Sequence, residues 1–158
     1  MTRTDLRFCV DTCDRATIQA HLLECDDQFK PPLSERVNMR DYSRKIRAKG
    51  LTFEAWRGAT LVGLAAVYLD GTERSGYITS VSVLPRYNRA RIATTLMTQL
   101  MTHAFKSGIQ EIALEVGRTN AAAIGLYGKF GFRAVEARGN FVLMAARNVG
   151  RNHAVKMK

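Results

Sequence analysis

Cysteine is scarce in this chain. The three present, Cys9, Cys13 and Cys25, show no Cys-x-x-Cys spacing and sit apart from any His-x-x-x-His pair. An odd, unclustered set argues against a complete disulfide framework and a thiolate metal site, so reduced structural thiols and no metal are expected. Long apolar runs are missing too. Nothing approaches the roughly 20 residues of a spanning helix, so no membrane association is expected. The opening MTRTDLRFCVDT lacks the basic, apolar and small-residue succession of a secretory signal, which makes the cytoplasm the expected location. Acidic side chains are rare in the second half: residues 74–158 carry 13 basic groups against Glu111, Glu115 and Glu136, whereas residues 1–73 carry 11 of each sign. The whole net charge of +10 therefore lies in one half. Such a field favours an anionic partner, either a polyphosphorylated cofactor or a nucleic acid.

What is present reads as one domain over residues 1–146, followed by a basic polar tail over 147–158. With 158 residues, 46% of them hydrophobic, the chain can build one substantial core. Strands are expected at Leu6 to Val10, Thr52 to Arg57, Leu61 to Leu69, Gly76 to Leu84, Glu111 to Val116 and Phe141 to Ala146. Tyr77, Thr79, Val81 and Val83 alternate with Ile78, Ser80, Ser82 and Leu84, which places the two sets on opposite faces. Helices are expected at Asp14 to Cys25 with Asp14 as N-cap, Met39 to Ala48 closed by Gly50, about Arg89 to Lys106 closed by Gly108, and Asn120 to Phe130 closed by Gly131. Strands alternating with helices imply a mixed sheet covered on both faces.

Three features carry chemistry. Arg86, Arg89 and Arg91 surround the first turn of a helix, where free N–H groups and the dipole suit a pyrophosphate; a solvated basic loop reads equally well. Tyr127 lies at helical spacing from Asn120 and either caps the core or faces a site. Glu115 points the same way as Ala113 and away from Leu114 and Val116; covered, it becomes a general base, and uncovered, an ordinary surface residue.

The run Asn120-Ala-Ala-Ala-Ile-Gly-Leu-Tyr127-Gly-Lys-Phe-Gly131-Phe132 resembles the Asn-x-x-Ala-x-x-Leu-Tyr-x-x-x-Gly-Phe signature of the GNAT superfamily of N-acetyltransferases. Leu114-Glu115-Val116 followed by Asn120 and Tyr127 is similar to the ribosomal-protein alanine N-acetyltransferase branch. The resemblance implies an α/β (α+β) fold: a mixed, mostly antiparallel sheet of six to seven strands, splayed between the fourth and fifth, with helices on both faces. It implies acetyl-CoA as co-substrate and direct transfer to a primary amine, with Glu115 as base and Tyr127 as acid. It also places the cofactor on Val81, Ser82, Val83, Asn88, Arg89, Ala90, Arg91, Ile92, Ala93, Thr94, Asn120, Ala123 and Tyr127.

One departure stands out. The family's loop, Gln or Arg, two residues, Gly, one residue, Gly or Ala, is here Asn88-Arg89-Ala90-Arg91-Ile92-Ala93, so Arg91 replaces the central Gly. With helical dihedrals Arg91 swings outward and binding survives; with positive φ it carries strain. The N-terminal helices should wall the acceptor, so Glu24, Asp26, Asp27, Phe29 and Tyr42 are its expected contacts. The segment FKPPLSERVNMRDYSRKIRAKG faintly resembles acetyltransferases of surface-polysaccharide synthesis. That favours a small amine such as an amino sugar over a peptide N-terminus. Pairing of the last strand between two copies leaves a homodimer open. A non-catalytic acyl-CoA-binding module is the alternative. A nucleic-acid-binding protein is disfavoured by the absence of an aromatic basic sheet face.

Overall fold

The computed structural model describes residues 6–149, Arg89 and Ala90 by their backbone alone. Seven strands form one sheet: β1 (Leu6–Val10), β2 (Leu51–Arg57), β3 (Thr60–Asp70), β4 (Ser75–Val83), β5 (Glu111–Gly117), β6 (Arg133–Arg138) and β7 (Phe141–Arg147). Their order is β1-β2-β3-β4-β5-β7-β6. Every pairing is antiparallel except that of β4 with β5. Four α-helices complete the domain: α1 (Arg15–Glu24), α2 (Met39–Lys49), α3 (Ile92–Lys106) and α4 (Ala121–Lys129). Among the described residues no helix is long and apolar enough to cross a membrane.

Helix starts follow from capping. Asp14 accepts the Thr17 N–H at 2.8 Å, Asn38 the Asp41 N–H at 3.0 Å, and Asn120 the Ala123 N–H at 3.2 Å. Ile18, Leu22, Met39 and Ile46 of α1 and α2 bury against Leu61, Leu64 and Ala66 on one sheet face. Leu96, Met97, Leu100 and Ala104 of α3 pack with Phe53, Ala65, Val67, Ile78 and Ile112 on the other. Gly63 permits the close approach of α3, since a Cβ there would lie 2.6 Å from Ile92 Cγ2.

Three expectations are corrected. Residues Pro85–Ala90 form a 3-10 helix, Arg91 takes the left-handed region (φ 59°, ψ 25°), and α3 begins at Ile92 rather than Arg89. Alternation along β4 breaks, because Ser80 pairs with Ala66 and Ile78 with Val67, leaving Thr79 as an extra, bulged residue. Tyr77, Ser80 and Ser82 therefore share one face, and Ile78, Val81 and Val83 the other. Finally, β6 is absent from the strands read by patterning, because its six residues, all exposed, carry no one-sided apolar pattern; it is the seventh strand that the resemblance allows. Its presence places β7 between β5 and β6, so the last strand has no free edge for a second copy.

Candidate functional site

The parallel pairing of β4 with β5 runs only from Ser75↔Glu111 to Ile78↔Leu114. Beyond it the strands diverge, and the Thr79 bulge sits at the point of divergence. On the other side β4 stays bonded to β3, and the Leu84 N–H donates to Val62 O at 2.9 Å. Backbone groups alternate along a strand, so Ser82 faces β3 while Val81 and Val83 present theirs to the gap. Gln28 Nε2 donates to Val83 O at 2.9 Å, which agrees with that orientation.

The gap opens a cleft of about 930 Å³. Its walls include Val81, Ser82, Val83, Asn88, Arg91, Ala93, Thr94, Asn120, Ala123, Glu115 and Tyr127, which brings together most residues singled out in the sequence. The chain at Lys30 crosses the end of β5, where a Cβ on Gly117 would lie 2.3 Å from Lys30 O. Ile92 is 1% exposed and packs in the core, so it can serve a ligand only through its backbone. The side chains of Arg89 and Ala90 lie outside the described residues.

The two acid–base candidates differ sharply. Tyr127 is buried, its ring 5.9 Å from that of Phe132, and burial pushes its hydroxyl up to about 12. It therefore keeps its proton through the neutral range. Glu115 lies on the α1/α2 face, half-open, with Oε2 3.1 Å from Arg138 Nη1. Arg138 Nε also bonds Glu136, at 2.6 Å. Tyr77, whose hydroxyl is raised first by burial and then by the nearby Glu115 charge, stands on the same face.

Ser82 is held from behind. Its Oγ lies 2.9 Å from His21 Nε2, and His21 Nδ1 lies 2.9 Å from Leu61 O. Burial lowers the His21 pKa, so the ring is neutral; Nδ1–H donates to the Leu61 carbonyl and Nε2 accepts from Ser82. Cys13 and Cys25 are buried free thiols, each pushed up to about 12 chiefly by burial, and are inert packing groups.

The proposed acceptor contacts divide. Phe29 and Tyr42 line the cleft, and Tyr42 Oη donates to Thr79 O at 2.6 Å. Glu24 instead pairs with Arg86 at 3.0 Å on the surface, and Asp26 accepts from the Ser34 N–H and Oγ at 2.8 and 2.6 Å. Neither they nor Asp27 line the cleft. Sequence reasoning missed Arg36, Tyr77 and Phe141, which do, and Arg138. The Pro31-Pro32 break before Arg36 was a signal that this loop folds back over the sheet.

A family model described as Acetyltransferase (GNAT) family matches residues 16–132. The chain is 33% identical over 104 residues to the probable N-acetyltransferase san of Drosophila melanogaster, covering 64% of this chain and 56% of that protein. It is 29% identical over 140 residues to the N-alpha-acetyltransferase RimI of Mycobacterium tuberculosis, covering 87% of this chain and 78% of that one. The chain thus spans about half the length of the fly relative. The crystal structure of a paiA N-acetyltransferase from Thermoplasma acidophilum, in complex with coenzyme A, shares the fold with a TM-score of 0.70 at 17% identity, over 89% of this chain and 99% of that one.

Proposed function

Because this chain belongs to the acetyltransferase (GNAT) family, we propose that it transfers acetyl from acetyl-CoA to a primary amine held in the β4–β5 cleft. The observation that carries this reading is the unpaired edge of β4 facing Glu115 and Tyr127 across one gap. The pantetheine arm, an amide-bearing chain, fits that edge as an added strand, bonding the groups that Val81 and Val83 present. The basic walls suit the phosphates through Arg91 and the first turn of α3, where Ala93 and Thr94 sit.

The reaction then follows from the residues. The acceptor arrives as an ammonium, and Glu115, directly or through water, removes one proton, since only the neutral amine is a nucleophile. The amine nitrogen attacks the thioester carbonyl, whose developing oxyanion takes a hydrogen bond from the Val83 N–H. The C–S bond breaks as the tetrahedral species collapses, and Tyr127 hands its proton to the departing thiolate. The nitrogen loses its second proton to restore Tyr127, and an amide and free CoA leave. Arg138 must share or release Glu115 when the ammonium enters. Named relatives that act on α-amines favour an α-amino acceptor over an amino sugar.

Calorimetric titration with acetyl-CoA, followed by thiol release during incubation with an amine panel, tests this reading. Micromolar binding and amine-dependent thiol release are expected. Binding without release for any amine would instead support the non-catalytic acyl-CoA-binding module.

A further inference from the structure

The cleft has the wrong sign for a simple cation. Leaving aside Arg91, assigned to the cofactor phosphates, its charged lining among the described residues is Lys30, Arg36 and Lys129 against Glu115, and Glu115 is itself met by Arg138. The acidic residues that could have balanced this, Glu24 and Asp26, are turned to Arg86 and Ser34.

Arg36 is one of several basic groups in these walls without an ion pair among the described residues, and of these it is the one held against an aromatic ring. Although exposed, it lines the cleft, and its guanidinium carbon lies over the Phe141 ring, 4.3 Å from the centroid. Its charge acts on Tyr42 and on Tyr77, the latter the neighbour of Glu115. A planar guanidinium over an aromatic ring, with no hydrogen-bond partner for its donors among the described residues, is suited to bidentate binding of a carboxylate or phosphate.

We propose that the acceptor is an amine carrying a carboxylate or phosphate a few atoms from its nitrogen, and that Arg36 binds this anion while Glu115 receives the ammonium proton. The inference rests on reading the cleft as an acetyl-transfer site. The two ends of such a zwitterion match the two charges that the cleft keeps apart. An amine bearing only positive charge meets Arg36, Arg138 and Lys30 with a single carboxylate.

Matched acceptors test it: glucosamine against glucosamine 6-phosphate, and the peptide Ala-Glu-Glu-Leu against Ala-Lys-Lys-Leu. Thiol release is measured with the unmodified chain and with Arg36→Ala and Arg36→Lys. One charge-assisted contact corresponds to a preference of about 10- to 100-fold in kcat/KM for the anionic member, carried mainly by KM. Arg36→Ala should abolish that preference without changing acetyl-CoA affinity, and Arg36→Lys should restore part of it. The peptide and sugar arms separate an acidic N-terminus from a small amino-phosphate. Equal use of both members, or a preference that survives Arg36→Ala, overturns the inference while leaving acetyl transfer intact. Failure of every amine, with acetyl-CoA bound, overturns the transfer reading and this inference with it.

Discussion

Two glutamates stand on the same face of one sheet, and the protein treats them in opposite ways. Glu54, on β2, is completely buried and surrounded by donors: the Thr12 N–H at 2.8 Å, the Cys13 N–H at 3.1 Å, Thr52 Oγ1 at 2.6 Å, Trp56 Nε1 at 2.9 Å and the Thr12 hydroxyl. Burial alone would raise its pKa, but these hydrogen bonds outweigh it and hold the carboxyl at about 2. Glu115, on β5, has one side-chain partner among the described residues, an exposed arginine on an edge strand, and opens on the cleft. A carboxylate with every lone pair engaged stitches the chain before α1 to β2 and can do nothing else. One with unused acceptor capacity beside a cleft remains available for protons. The difference lies in the neighbours and not in the residue.

That contrast can be broken by exchanging the consequences. Glu54→Ala leaves buried donors unsatisfied and should destabilise the fold by about 3–5 kcal/mol, read from urea denaturation. A loss below about 1 kcal/mol would show that the surrounding donors find water instead. Acid should act similarly. The folded pKa of Glu54 lies below its reference of 4.5, so its contribution is complete above that value and is lost as pH falls toward 2. His21, depressed from 6.5 by burial, has the same sign, with a contribution present above 6.5 and lost as pH falls. Unfolding midpoints should therefore drop on acidification below about pH 6.5 through His21 and again below about pH 4.5 through Glu54; an unchanged midpoint in the first window would contradict the His21 assignment, and one in the second the Glu54 assignment.

Glu115→Gln should reverse the pattern, with little change in stability but turnover lowered about 100-fold, the scale of general-base catalysis. Wild-type turnover in this variant would end the comparison, since both glutamates would then be structural. Tyr127→Phe keeps the ring against Phe132 and removes only the hydroxyl. Turnover should fall at least about tenfold with acetyl-CoA affinity unchanged, as measured by single-turnover thiol release and calorimetry. The smallest effect is expected at Arg91→Gly. Relief of the left-handed backbone should raise stability by about 0.5–1 kcal/mol, whereas a decrease would show that the Arg91 side chain contributes more than its strained backbone costs.

Much of the scaffold was legible because its signals are local. Asp14 and Gly50 mark helix ends, Gly58 and Asp70-Gly71 mark turns, and the Asn120 to Phe132 run specifies α4 and its exit together. The features that were not legible depend on distant partners. The donors around Glu54 come partly from Thr12 and Cys13, some forty residues upstream, and nothing beside Glu54 announces them. The Thr79 bulge adds one residue within a stretch of good strand formers, and only its pairing with β3 reveals it. β6 is too polar to declare itself, which also hid Arg138 and the ion pair it makes with Glu115. The acidic cluster around Glu24 was read for its sign, but sign carries no direction, and the fold turns Glu24 and Asp26 away from the cleft.

The four-residue seam between β4 and β5 also ties substrate to stability. It joins two antiparallel blocks, and past Ile78 and Leu114 the protein leaves the rungs between them unmade. An extended ligand lying in that gap would supply rungs present only in the folded chain, so binding and folding become one linked equilibrium. At a ligand concentration 100 times its dissociation constant, the linkage adds about 2.7 kcal/mol to the free energy of unfolding. The resistance of this protein to heat and proteolysis would then vary with the concentration of its own substrate.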